Sequence, residues 1–299
     1  MQHTERDLTL GIAFRIAASV MLALMVAAVH AGCSTCEVGQ VVMMRGAFAL
    51  PVIVAYLLFW GEVRAVLTTK RWNGHLVRGA VGGTSLVFTF IAIRSTPMPV
   101  ATALTFLAPL FATLGAMIFL RETPSARMLG AVVFGFAGVV IIVTAAFDDI
   151  TYPDITVGGV MAGIAGAVLM AISMLQLKRL SSTESAGCVS FYFSLAITSI
   201  GLLLLALGVG PMTWQDVGLG LVAGALGAGA QLAMAESLRR APISSVAALD
   251  YLLLVWVVAI DVFVFDRSPS FFTLTGALVI VVSASLLRQS NGSGGRSRI

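Results

Sequence analysis

Of the 299 residues, 59% are Ala, Val, Ile, Leu, Met, Phe, Trp, Tyr or Cys, another 30 are glycine, and only 11% are charged, against about 25% charged in an ordinary soluble protein. So few polar groups cannot coat a water-facing surface, which excludes a soluble enzyme, a disordered regulator and a fibre, and leaves lipid as the main solvent. The net charge of +4 is small, and nothing in it points to nucleic acid.

Apolar runs of about 20 residues, enough to cross a hydrocarbon core of roughly 30 Å, give ten candidate helices. In chain order they run from Leu8 to Ala31, Glu37 to Gly61, Asn73 to Ser95, Pro99 to Leu120, Arg127 to Phe147, Thr156 to Lys178, Ala186 to Gly208, Gln215 to Leu238, Ile243 to Phe265 and Phe271 to Leu287. The short alternating segments of a membrane barrel are missing, so the chain reads as an all-α integral membrane protein. Gly32-Cys33 after the first span hints at a lipoprotein cleavage site. His30 sits where that signal wants an aliphatic residue, so the span reads as retained. The last stretch, 290–299, reads as a solvated tail.

The Lys and Arg residues set the expected direction. With a cytoplasmic N-terminus, 14 of the 18 fall in inner connections and tails, counting Arg78 among them, and only Arg94 and Arg267 fall outside. This asymmetry predicts a bacterial-type inner-membrane protein with both termini cytoplasmic. Trp60, Trp72 and Trp214 fall at span ends, where indole prefers to sit.

The sequence also repeats. A shift of 145 positions lays Gly79-Ala80-Val81-Gly82 on Gly224-Ala225-Leu226-Gly227, Arg94 on Arg239 and Pro97 on Pro242. A shift of 147 lays Gly11 on Gly158 and Glu37 on Glu184. Five spans per copy is an odd number, so the second copy enters the membrane from the opposite side. Inverted repeats of this kind let secondary transporters swap the conformations of two halves around a midplane site. A duplicated scaffold without transport is the bland alternative.

The segments Ala92-Ile93-Arg94-Ser95-Thr96-Pro97, Ala101 to Pro109-Leu110, Leu120-Arg121-Glu122, and Gly130 with Gly138-Val139 resemble the repeat of the EamA-type drug/metabolite transporter superfamily. Arg45 matches an arginine usual in that family's second helix. The resemblance implies ten helices as two inverted five-helix repeats around a central cavity, with a first repeat over 1–149 and a second over 150–289. It also implies transport of small organic metabolites, often export of amino acids. The second copy departs from the pattern, with Leu254 where Pro109 would recur and Arg267 where Glu122 would.

Candidate site residues come from depth and chemistry. Ser85 and Gln231 supply polar atoms near mid-depth in the glycine-rich third and eighth spans, where close packing alone also explains the glycines. Pro109, like Pro51, frees a helical carbonyl at mid-membrane, as a passive kink or a hinge. Asp250, Tyr251 and Trp256 of the ninth span correspond to Thr105, Phe106 and Phe111 of the fourth, so aromatic residues recur at equivalent depth. Charges in the core cost about 2.5–3.5 kcal/mol each on insertion scales, so Arg15, Arg45, Glu236, Asp250 and Asp261 each need a reason to be there. Arg15 and Asp250 fall at similar depth, as do Arg45 and Asp261. Glu236 reads as a local ion pair with Arg239 or Arg240.

The expectation is that Arg15 or Arg45, with Asp250, recognises a zwitterion or gates its path. Structural ion pairing is the rival. Cys33 and Cys36 form a C-x-x-C in the first outer connection that oxidation can close, and Cys188 reads as packing. No nucleotide motif, metal set or catalytic constellation stands out, so no cofactor and no enzyme are expected. The reading is a secondary transporter exporting small metabolites, apolar or aromatic amino acids first. A drug, nucleoside or vitamin carrier is the alternative within the same fold, and a structural membrane protein the alternative outside it. Ion or proton coupling stays open, as does the choice between monomer and homodimer.

Overall fold

The computed structural model describes residues 5–32, 36–108, 155–181, 183–240 and 252–266, with isolated positions between 111 and 144, at 249 and from 271 to 282. Much of the fifth and tenth expected spans, the second half of the fourth apart from Phe111, the beginning of the ninth and the tail lie outside the described residues. All regular structure among the described residues is helical. The helices are α1 (Glu5–Ala31), α2 (Val38–Ala47), α3 (Ala49–Phe59), α4 (Val63–Leu67), α5 (Trp72–Ser95), α6 (Met98–Thr105), α7 (Val157–Ser181), α8 (Ala186–Leu204), α9 (Trp214–Arg240) and α10 (Leu252–Phe265).

Six described stretches are long and apolar enough to cross a membrane: Thr9–Ala31, Val38–Phe59, Trp72–Ser95, Val157–Leu177, Ala186–Leu207 and Trp214–Ser237. They coincide with the expected first, second, third, sixth, seventh and eighth spans. The helices are apolar around most of their circumference because one side meets lipid and the other meets protein. Leu58, Phe59, Leu76, Leu203 and Phe263 point outward, while Arg15, Arg45, Arg78 and Asp261 are buried. Trp60, Trp72 and Trp214 are exposed at helix ends, as an interfacial anchor requires.

The second span is not continuous. Phe48 forms a turn between α2 and α3, and its N–H reaches back to the Met44 carbonyl at 2.9 Å. Pro51 has no N–H to offer the carbonyl of Ala47, and its ring crowds that carbonyl, so the helix breaks three residues before it. The fourth span begins in the same idiom. Pro97 caps α6, which ends at Thr105 with Phe106 in a turn. Pro109, four residues beyond Thr105 in sequence, lies outside the described residues.

The helices pack most extensively across the two halves of the sequence: α1 on α9, α5 on α7, and α8 on α2. At one rim the end of α1 meets the start of α9, where Gly32 packs on Leu219. Here too the Thr156 N–H before α7 donates to the Ser95 carbonyl at 3.1 Å, and Gln40 of α2 bonds Gly210 after α8. At the other rim the Ser237 hydroxyl of α9 donates to the Gly11 carbonyl of α1 at 2.7 Å. Leu180 of α7 packs on Gly74 of α5, and Leu57 of α3 on Gly187 of α8. Each of these pairs is therefore antiparallel. The α2 and α8 backbones touch: Gly46 faces Thr198 and Gly201 faces Met43, leaving no space for a β-carbon on either side.

The main apolar core joins Ala23, Met25, Val26 and Val29 of α1 to Val42 and Met44 of α2, Phe90 and Ile93 of α5, and Ile197 of α8. A second cluster packs Val100, Leu104, Phe106 and Leu107 against Val160 and Ala167 of α7, with Leu253 and Val258 of α10 at its edge.

Candidate functional site

Arg45 sits near the end of α2, and its side chain crosses to α1 and α9. It is 3% exposed. Its Nε donates to the Met25 thioether at 3.2 Å, a weak acceptor, and its Nη1 is buried with no hydrogen-bond partner. The guanidinium lies against Gly227, which has no side chain to displace it. One turn further along α9, the Oε1 of Gln231 is also buried without a partner. A strong donor and a strong acceptor thus stand unsatisfied on neighbouring surfaces, each costing free energy unless something fills its valence. The described bond of Arg45 runs to sulfur, where the sequence suggests Asp261. Asp261 itself is buried in α10.

Most of the remaining expected site residues are engaged in contacts of their own. Ser85 is fully buried, and its hydroxyl donates to the Gly166 carbonyl of α7 at 2.8 Å, so it ties two helices together. Trp256 donates its indole N–H to the Ser19 hydroxyl at 3.2 Å, linking α10 to α1, and Ser19 passes the bond to the Ile16 carbonyl. Thr105 donates to the Thr102 carbonyl within α6, and Phe106 is buried in the second apolar cluster. Arg15 is 7% exposed on α1, near the Gly11 and Ser237 rim. Pro109, Asp250 and Tyr251 lie outside the described residues.

Glu236 behaves as its spacing suggests, bonding Arg240 at 2.9 Å, and it gains a second partner in the Tyr56 hydroxyl, which donates to it at 2.9 Å. Cys36 is disulfide-bonded, whereas Cys188 remains a thiol. The Cys36 carbonyl accepts from Arg94 Nη1, so the first connection is fastened to the end of α5. A small apolar recess lies near this rim, lined by Ala28, Val29, Val41, Met44, Leu219 and Ala223 among others.

Two features escape the sequence reading. Arg78, counted above with an inner connection, lies within α5 and is buried, with its guanidinium 4.7 Å from the Phe193 ring centroid and its Nε without a partner. Its place in the third span was the available signal, since the chain from Asn73 onward is already helical. Cys188 is not only packing: its Sγ lies 3.4 Å from a Glu184 oxygen and 4.0 Å from His75 Nε2.

Comparison with known proteins decides the family of this glycine-rich helical bundle. The model of the EamA-like transporter family matches residues 9–144 and again 157–289. The chain belongs to this family. It is a multi-pass membrane transporter, not an enzyme, in the drug/metabolite transporter superfamily. Over 287 residues it is 32% identical to a riboflavin transporter of Vibrio cholerae, covering 94% of this chain and 91% of the relative. It is 25% identical to a pseudopaline exporter of Pseudomonas aeruginosa over 281 residues, 94% of this chain and 96% of that one. A crystal structure with 18% identity superposes at a TM-score of 0.70 over 97% of this chain and 99% of its own, which establishes the likeness of fold.

Proposed function

We propose that this EamA-like protein is a secondary transporter of the inner membrane that carries a small organic metabolite by alternating access, in ten helices arranged as inverted repeats over 1–149 and 150–289. The family model's two consecutive matches support the duplication. The rim contacts support the inversion: α1 ends at the rim where its repeat partner α7 begins, and α5 ends where its partner α9 begins. The exchange of neighbours supports it too, since α1 on α9 becomes α7 on α5 when the halves are swapped. The distribution of Lys and Arg supports a cytoplasmic position for both termini.

The observation that carries the transport reading is the buried Arg45 guanidinium, open at Nη1 beside Gly227 and one turn from the open Gln231 amide. A donor and an acceptor side by side suit a flat heterocycle that presents a carbonyl beside an N–H, as the ring of riboflavin does. With the 32% identity to a riboflavin transporter, this favours a vitamin-type cargo over the amino acids expected from sequence. Amino acids remain a second reading, because a buried arginine also suits a carboxylate. Thr105, Phe106, Trp256 and, from the undescribed stretches, Pro109, Asp250 and Tyr251 would wall the chamber, with Arg15 toward the cytoplasmic rim. Ser85 would hold α5 to α7 beneath it.

The test is uptake and counterflow of labelled riboflavin and a labelled amino-acid panel in proteoliposomes, with and without a pH gradient. Saturable riboflavin movement that Arg45→Gln abolishes supports the proposal. Movement of neither class, or movement untouched by Arg45→Gln, overturns it.

A further inference from the structure

We propose that His75, Glu184 and Cys188 form a transition-metal site, best matched to Zn²⁺, that fastens the start of α5 to the start of α8. His75 comes from the first turn of α5, Glu184 from the connection after α7, and Cys188 from the first turn of α8, where Ser185 caps the helix by accepting from the Cys188 N–H. The three donor atoms lie within 4.8 Å of one another, with Sγ 3.4 Å from Glu184 Oε2 and 4.0 Å from His75 Nε2. Metal–ligand bonds of about 2.0–2.3 Å in a tetrahedron place such donors about 3.3–3.6 Å apart, so with every pair already within 4.8 Å no pair has more than about 1.5 Å to close around an ion.

The surroundings are built as a metal site needs. His75 is 4% exposed and its Nδ1 has no hydrogen-bond partner, while Nε2 has only the distant sulfur. A buried imidazole with neither nitrogen well bonded is costly, and a metal on Nε2 removes half of that cost. The ring is held by Tyr192, 4.5 Å away centroid to centroid, and Tyr192 is itself fixed by donating to the Val66 carbonyl. The second oxygen of Glu184 accepts from the Thr69 hydroxyl at 2.8 Å, which orients the carboxylate from behind. Thiolate and carboxylate neutralise a dication. Arg78, one turn beyond His75, opposes the ion, and the Glu62 carboxylate, packed against Gly187, offsets it. Imidazole, thiolate and carboxylate together select zinc or cobalt over magnesium and calcium, which take oxygen.

The full-length protein, purified in detergent with Cys33 and Cys36 changed to Ser, leaves Cys188 as its single thiol. Titration with Co²⁺ should give a thiolate-to-cobalt charge-transfer band saturating at one equivalent, displaced by equimolar Zn²⁺. His75→Gln and Glu184→Gln should each weaken cobalt binding at least about tenfold, since loss of even an outer-shell partner costs that much, and Cys188→Ser should remove the band. Absence of the band in the protein that retains all three ligands overturns the proposal, and that outcome does not depend on any ligand variant folding. So does a band that His75→Gln and Glu184→Gln leave unchanged. Because the readout is binding, its failure leaves the transport reading intact.

Discussion

Gly227 of α9 lies flat against the guanidinium of Arg45 on α2, and a single methyl at position 227 would occupy the same space as its Cζ. The contact joins the two halves of the sequence at the one interior arginine whose unfilled valence carries the transport reading. Gly227→Ala should therefore expel or tilt Arg45, at a cost of roughly 1–3 kcal/mol as overpacking does. Its Tm in detergent should fall and transport should drop. Gly218→Ala, on the same helix with nothing within 4 Å of the added carbon, should leave both unchanged.

Replacing Arg45 by Met separates function from stability. A buried charge costs about 2.5–3.5 kcal/mol on insertion scales, and the guanidinium recovers little from a thioether. Arg45→Met should hold or raise Tm while transport falls roughly tenfold or more, the value of a charged hydrogen bond of about 1.5–3 kcal/mol. A matching collapse of Tm would make the residue structural instead.

Ser85 should behave in the opposite way. Its hydroxyl is committed to the Gly166 carbonyl, and interhelical bonds of this kind in membranes average about 0.6 kcal/mol. Ser85→Ala should lower Tm slightly and leave the KM for cargo unaltered. A large rise in KM would put the hydroxyl on the substrate.

The break at Phe48 allows a test of motion. Pro51→Ala returns an N–H to the Ala47 carbonyl and lets α2 and α3 run on as one helix, recovering up to about 3 kcal/mol. Thermal stability should rise. Turnover in proteoliposomes should slow at unchanged KM if the break serves as a hinge, and stay constant if it is a passive kink.

Much of this fold was legible in sequence because lipid imposes a simple length rule: the six described membrane-length helices fall within a few residues of the expected spans. Arg45 was legible for the same reason, since a charge at that depth stands out against apolar neighbours. Arg78 was not, because six residues into a helix an arginine resembles an interfacial one, and only the packing of Phe193 from α8 reveals its burial. The cluster of His75, Glu184 and Cys188 was hidden by distance along the chain, with 113 positions between His75 and Cys188. Ser85 showed its depth in sequence but not its partner, because Gly166 approaches only once α5 and α7 have packed.

The claim on which the rest depends is that the two halves cross the membrane in opposite senses. Trp72 and Trp214 begin the repeat-equivalent helices α5 and α9, and both are exposed, Trp214 at 90%. In a protein whose three native cysteines are changed to Ser, Trp72→Cys and Trp214→Cys should be labelled by a membrane-impermeant maleimide from opposite sides. The account predicts Trp72→Cys reacting only from the cytoplasmic side and Trp214→Cys only from outside. Labelling of both from one side would contradict it.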